Sequence, residues 1–345
     1  MLLEGIFAPL TTPFHADGRL FRGKLAQNVE HYSRAPLSGM LVLDEAGEGD
    51  GLTDAEAEEV LVTAIAAAAN EKVMLASVGR ESVHASLRLA KVAAAAGYDA
   101  ILVRVPRSLN PSSMALEGMT YFRTIADSAS IPVILMNEPL YNLGVGAVSE
   151  LAQHPNVLGL LERDGDEKRV AAIRAATATV SREVSVTTVF APATGRMLRV
   201  PASGGSFVSA ASLGGGVATA IESRPSLKTR IKKVGFQVLT GQSSEMLGAW
   251  QTGASGSITR FAACAPQATC EVWQAFRDGD LPLAAEKQER LRSAAGLVEG
   301  SAGISVLKYA CDWNGYFGGS PRLPLLPPTA YTRKQVEEAL AGMRN

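Results

Sequence analysis

The sequence is short of most residues that announce a reaction. Its 345 residues include 4 His and 3 Cys, none of them in metal-ligand or C-x-x-C spacing. His15, His31, His84 and His154 stand alone, so no metal site is read from them. Cys264, Cys270 and Cys311 cannot pair completely, which fits a reduced, cytoplasmic compartment with the thiols as small core residues. Excess charge of either sign is missing too. Lys and Arg total 33 against 34 Asp and Glu, a formal net charge of -1. That balance offers no basic field to nucleic acid or an anionic membrane. The densest basic stretch, Lys228 to Lys233, reads as a solvated loop or helix face. No apolar run reaches the about 18 residues that a membrane span needs. Met1 to Thr12 has no basic n-region and carries Glu4, so it is not read as a signal peptide.

What is there is core. Hydrophobic residues make up 47% and charged ones 19%, as in a globular chain with ample interior. Short Leu-rich or β-branched runs alternate with Ala-rich helical ones. Gly5–Thr11, Gly39–Leu43, Lys72–Val78, Ala100–Val105, Val133–Met136, Val157–Leu161, Phe236–Thr240 and Gly256–Arg260 read as eight strands. They are continuously apolar rather than alternating, which marks strands buried on both faces of a parallel sheet. Thr53 and Glu56 form a capping box at the start of the second helix. Eight such βα units predict an α/β fold, a closed (β/α)8 TIM barrel. An open doubly wound sheet is the alternative, but no G-x-G-x-x-G opens the first helix.

Two segments break the rhythm. Residues 180–234 form an insertion between helix six and strand seven, rich in Ser, Thr, Val and Gly. Glu183–Ala191 alternates like a strand, Pro192 to Gly195 is turn material, and Arg196–Val200 is expected to pair back as a hairpin. Gly204-Gly205 and Gly214 to Gly216 punctuate the rest of it. A helix-to-strand connection lies at the bottom of a barrel, away from the chemistry, so a packing or assembly role is expected. The second segment is a C-terminal helical extension, with helices over Leu281–Leu297, Ile304–Asp312 and from Thr332 onward. The expected organisation is a barrel over residues 1–280, interrupted by the insertion, and an extension over 281–345 packed on its outside.

Several separated motifs carry a resemblance. Gly5-Ile6-Phe7-Ala8-Pro9-Leu10-Thr11-Thr12-Pro13-Phe14 opens the chain, and Gly47-Glu48 precedes Leu52-Thr53 and an acidic helix. Asn137-x-Pro139, an ungapped stretch from Gly159 to Val170, Gly253 to Ile258, and Tyr316 to Pro327 follow in order. Together they resemble the dihydrodipicolinate synthase and N-acetylneuraminate lyase family over nearly the whole chain except the insertion. The resemblance implies a commonly tetrameric barrel enzyme of the class I aldolase type, acting on pyruvate or other 2-oxo acids. A strand-six lysine would form a Schiff base, a strand-five tyrosine would relay protons, and paired threonines would hold the substrate carboxylate.

The sequence departs at each of those positions. Leu161 stands at the lysine position, Met136 at the tyrosine position, and Glu45 and Ala46 at the two threonines. Arg107-Ser108 replaces the aromatic pair after strand four. Leu161 has no amine, so the iminium cannot form there. Neither Lys168, Lys232, Lys233 nor Lys308 ends a strand, where a substitute would have to sit. The altered mouth is expected to gather Glu45, Glu48, Arg80, Arg104, Arg107, Glu138, Glu162 and Arg260. Glu45, Ala46, Arg80, Arg104, Met136, Asn137, Leu161 and Arg260 are the candidate ligand contacts. Arg80, Arg104 and Arg260 fit ligand contact and internal pairing equally. Glu48 and Asn137 fit scaffold roles, and Glu162 is expected to face the helices. Glu45, in apolar surroundings, is the candidate general base. A magnesium or calcium site at Glu45, Glu48 and Asp50 is the reading the spacing supports least.

The expected function is a lyase or hydro-lyase on a small 2-oxo acid or sugar-acid-like metabolite, working without a lysine Schiff base. The alternative is a family member without catalysis that binds a ligand or supports assembly. No cofactor is expected. The expected partners are a small-molecule ligand and copies of this chain, as a dimer or tetramer.

Overall fold

The computed structural model describes residues 1–199, 227–300 and 303–343. Eight strands close into a parallel barrel: β1 (Gly5–Pro9), β2 (Gly39–Val42), β3 (Val73–Ser77), β4 (Ala100–Val103), β5 (Val133–Asn137), β6 (Val157–Glu162), β9 (Gln237–Thr240) and β10 (Gly256–Ile258). The other two, β7 (Arg182–Thr187) and β8 (Thr229–Val234), form a separate two-stranded antiparallel sheet. Every barrel strand is buried along its whole length, which is why each reads as an unbroken apolar run. All eight expected strands are present within a residue or two, and helices fill the connections between them.

Two packed layers result. One apolar cluster lies between the strands and the helices, and includes Val133, Leu135 and Leu160. A second fills the barrel itself with Phe7, Leu41, Leu75, Leu102, Ile134, Met136, Leu158, Leu161 and Leu239. Strand β6 serves both layers through an irregularity. Val133 pairs with Val157 but Ile134 pairs with Gly159, so Leu158 is an extra residue in the ladder. That bulge resets the alternation and aims Leu161 inward and Glu162 outward.

The capping box forms as read: Thr53 Oγ1 accepts from the Glu56 amide at 3.3 Å, and Glu56 accepts from the Thr53 amide at 2.9 Å. The extension also forms, with helices at Leu281–Glu299, Gly303–Trp313 and Ala330–Leu340. Among the described residues no helix is long and apolar enough to cross a membrane.

The insertion corrects two expectations. Strand β7 pairs with Thr229–Val234 and not with the expected partner from Arg196 onward, whose last residue, Val200, lies outside the described residues; Gly195–Leu198 is instead a short helical turn, capped by Thr194. The basic run is therefore a strand, β8, rather than a loop or helix face. Exposure explains the error: no residue of β8 is fully buried, only Lys232 and Val234 are partly covered, and Val234 packs with Val184, Val186 and Leu2 beneath the barrel. Lys232 bonds Glu4 at 2.8 Å, beside the start of β1. That contact holds the hairpin at the bottom of the barrel, as its place in the connectivity requires. The glycine runs of the insertion lie outside the described residues.

Candidate active site at the barrel mouth

The C-terminal ends of parallel strands carry the mouth of a barrel, and side chains there alternate between its interior and its rim. The top interior layer is apolar. Met136, Leu161 and Leu239 lie level on β5, β6 and β9, and all three are fully or almost fully buried inside the barrel. Leu161 therefore presents only hydrocarbon to the space above it.

The rim above that layer is charged. Just past β6, the half-buried Arg163 donates through Nη2 to both carboxylate oxygens of Asp44 at 3.1 Å, and lies 4.0 Å from Met136 Sδ. Burial would lower the Arg163 guanidinium, but Asp44, Glu45 and Glu138 together hold it above its ordinary value. Just past β4, Arg104 bonds Asp50 at 2.8 Å, Glu81 at 3.1 Å and the Val105 carbonyl at 2.9 Å. Arg107 reaches Asp50 at 3.6 Å and Glu138 at 3.7 Å. Arg260, past β10, lies 3.7 Å from Glu45 and bonds the Glu299 carbonyl.

Three groups in this network are left over. Arg80 donates through Nη1 to the Gly79 carbonyl at 2.9 Å, but its Nη2 is buried with no hydrogen-bond partner. Arg163 Nε and Glu138 Oε2 are buried and unpartnered as well. Burial pushes the Glu138 carboxyl above its usual range, against the pull of Arg163 and Arg107. Leu43, Asp44, Glu45, Asp50, Ser77, Arg80, Arg104, Arg107, Met136 and Arg163 enclose this space with Gly79. The cavity they leave is small, with room for roughly one water. In this state the arginines and carboxylates fill the mouth themselves.

Of the expected ligand contacts, Glu45, Arg80, Arg104 and Met136 line this space. Ala46 is buried and Leu161 faces the interior, so neither lines it. Arg260 reaches it only through Glu45. Asn137 is scaffold: its Nδ2 donates to Glu162 at 3.1 Å and its Oδ1 accepts from the Leu143 amide at 3.1 Å. Glu162 faces the helices as expected, bonding Arg169 at 2.6 Å. Glu48 also points away. It pairs with Lys308, whose side chain is fully buried, and accepts from the Arg322 amide at 2.8 Å. Glu45, Glu48 and Asp50 thus have separate cationic partners, and among the described residues no cluster of acids, His or Cys could hold a metal.

Glu45 corrects another expectation. Its surroundings are not apolar: the side chain is 41% exposed and its oxygens face Arg163 at 4.0 Å and Arg260 at 3.7 Å. Glu138 is the carboxylate that burial perturbs. Sequence reading missed Asp44, Glu81 and Arg163 as rim residues. The available signal was adjacency, since Asp44 precedes Glu45 and Arg163 follows the β6 terminus by a single residue.

A (β/α)8 barrel with its polar groups gathered at the strand C-termini is the architecture of barrel enzymes. The chain belongs to the dihydrodipicolinate synthetase family, whose model matches residues 2–206 and 215–343. It is 25% identical over 345 residues to 4-hydroxy-tetrahydrodipicolinate synthase of Acidiphilium cryptum, covering 99% of each chain. Over a shorter stretch of 178 residues it is 32% identical to the Stenotrophomonas maltophilia enzyme of that name, covering 51% of this chain and 59% of the relative. Among solved structures, a putative dihydrodipicolinate synthetase from Pseudomonas aeruginosa superposes with a TM-score of 0.77 at 21% identity, covering 99% and 100% of the two chains. YagE, a prophage protein of the dihydrodipicolinic acid synthase family from E. coli K12 solved in complex with pyruvate, gives 0.76 at 21% identity, covering 99% of each.

Proposed function

We propose that the chain is a lyase or hydro-lyase acting on a small 2-oxo acid or sugar-acid-like metabolite without a lysine iminium. The family supports the reaction class, and the relatives' names are those of synthases in it. One observation supports the mechanistic half: Leu161, which by the sequence resemblance stands at the family's lysine position on strand six, lies inside the apolar layer. Among the described residues no lysine lines the mouth. Lys308 is fully buried elsewhere, donating to Glu48, the Thr12 carbonyl and the Ser320 carbonyl. A Schiff base needs an amine that can lose its protons, and a guanidinium stays protonated at any pH the protein meets.

The rim supports a non-covalent route. Guanidiniums fixed at strand ends hold a carboxylate and stabilise an enolate oxygen as charge develops on it. Glu138, kept closer to neutrality by burial, serves as the acid–base group that exchanges a proton with the adjacent carbon. Glu45 between its two arginines serves binding rather than proton transfer. A second reading, a ligand-binding subunit without turnover, draws support from the filled mouth. A homo-oligomer accompanies either reading, as the family resemblance implies.

Pyruvate with borohydride, followed by intact-mass measurement, should leave the protein mass unchanged. A trapped adduct would overturn the iminium-free mechanism. Turnover of any 2-oxo acid or sugar acid in a metabolite panel supports the lyase reading. Ligand binding with no turnover across that panel replaces it with the second.

A further inference from the structure

The β3–β4 side of the mouth concentrates three guanidiniums around one carboxylate. Asp50 bonds Arg104 at 2.8 Å and lies 3.6 Å from Arg107, and Arg80 lines the same space. The two other acids on this side, Glu81 and Glu138, each contact one of these arginines, at 3.1 Å and 3.7 Å. Three cations therefore face three anions, and Asp50 is the anion at their centre. Arg80 Nη2 is nevertheless buried without an acceptor, although its Nη1 is bonded. An unmet buried donor costs free energy, and a donor of a charged group costs more.

Asp50 is also placed to leave. It is the middle residue of the short 3-10 turn Gly49–Gly51, and its side chain is 46% exposed while that of Arg104 is 8% exposed. The turn backbone is held at both ends, the Gly51 amide donating to the Glu48 carbonyl at 2.8 Å and the Gly51 carbonyl accepting from Arg322 at 3.2 Å, so leaving requires only a rotation of the Asp50 side chain.

We propose that Asp50 is an internal stand-in for a ligand carboxylate, and that Arg80, Arg104 and Arg107 form the carboxylate subsite it covers. When Asp50 swings to solvent, three guanidiniums remain against Glu81 and Glu138, an excess of positive charge that a ligand carboxylate takes up in the planar geometry Asp50 had. A ligand larger than a bare carboxylate, with a hydroxyl or oxo oxygen beside it, also supplies the acceptor that Arg80 Nη2 lacks. The opposite side of the mouth is more fully paired, because Arg163 Nη2 already donates to both Asp44 oxygens, with only Nε left over, and Arg260 lies 3.7 Å from Glu45. This rests on the reading of the mouth as the ligand site, and not on the reaction assigned to it.

Calorimetric titration with glycolate, a 2-hydroxy monocarboxylate, tests it on the full-length protein. The Asp50→Asn variant should bind glycolate about tenfold or more tightly than the wild type, because a competing carboxylate is gone. Adding Arg80→Gln to Asp50→Asn should abolish that gain, and inorganic phosphate should show a smaller one. Equal or weaker glycolate binding by Asp50→Asn overturns the proposal, as does a gain that survives Arg80→Gln. Should Asp50→Asn fail to fold, Arg80→Gln alone decides: an undiminished rise in Tm with glycolate, compared with wild type, refutes the subsite. Tight glycolate binding without turnover of any metabolite removes the lyase reading and leaves the subsite standing. Turnover with no gain in Asp50→Asn does the reverse.

Discussion

Two ionic networks in this barrel use the same chemistry to different ends. On the flank, Lys308 donates to the Thr12 carbonyl, the Ser320 carbonyl and Glu48, and Glu48 also accepts from the Arg322 amide. Phe14 covers the ammonium from 4.5 Å, and the Lys308 and Glu48 side chains are 0% and 6% exposed. All three Lys308 protons and both Glu48 oxygens have partners. At the mouth, Arg80 Nη2, Arg163 Nε and Glu138 Oε2 have none, and Asp50 and Arg107 are about half exposed. A fully satisfied network fixes the extension to the barrel; a partly satisfied one keeps hydrogen-bonding capacity in reserve. The loop between β2 and the next helix divides the two. Glu48 turns to the flank, and Asp50, two residues on, turns to the mouth.

Breaking the flank should have the largest effect. Lys308→Met keeps the volume and strands the Glu48 carboxylate in the interior, at a cost of about 3–5 kcal/mol. Urea denaturation measures it, and glycolate affinity of the folded fraction should not change. A cost under about 1 kcal/mol would mean the flank knot is no scaffold. Arg107→Ala makes the opposite cut. Its side chain is 47% exposed and its contacts are 3.6 and 3.7 Å long, so stability should move by no more than about 1 kcal/mol. Glycolate binding should weaken instead. If Arg107→Ala unfolds the protein and leaves affinity alone, the contrast between the two networks collapses.

The legibility of these features in the sequence follows from their physics. A parallel strand buried on both faces is apolar at every position, so β1 to β6, β9 and β10 could be read locally. Strand β8 could not, because one of its sides is solvated and its partner β7 lies across the insertion. Arg80, Arg104, Arg107 and Arg260 were readable near strand ends, but their partners were not, and Arg163 was missed altogether. Arg163 and Asp44 meet across 119 residues of sequence, and nothing local to either one records that pairing. Lys308 looked like an ordinary tail residue for the same reason, since its acceptors Thr12 and Glu48 sit 296 and 260 residues away. Glu45 was misread on composition: Met136 and Leu161 flank the position in the family pattern, yet two guanidiniums, Arg163 and Arg260, face its carboxylate.

The finest test concerns Glu138, where the reserve of the mouth should be visible as a pH dependence. Burial raises the Glu138 carboxyl in the folded protein, so the native state holds its proton more tightly than the unfolded chain does. The native state then binds more protons than the unfolded state between the two pKa values, and stability falls as pH rises through that window. The stabilisation from Glu138 is complete below the ordinary value of 4.5 and is lost above the raised one. Glu138→Gln cannot ionise. Its stability relative to wild type should therefore increase as pH rises from below 4.5 toward neutrality, by about 1 kcal/mol for each unit by which the carboxyl is raised. Urea midpoints across that range measure the difference. A flat difference would mean that Arg163 and Arg107 cancel the burial of Glu138. The mouth would then hold no carboxylate tuned by burial, and Glu138 would lose its claim as the acid there.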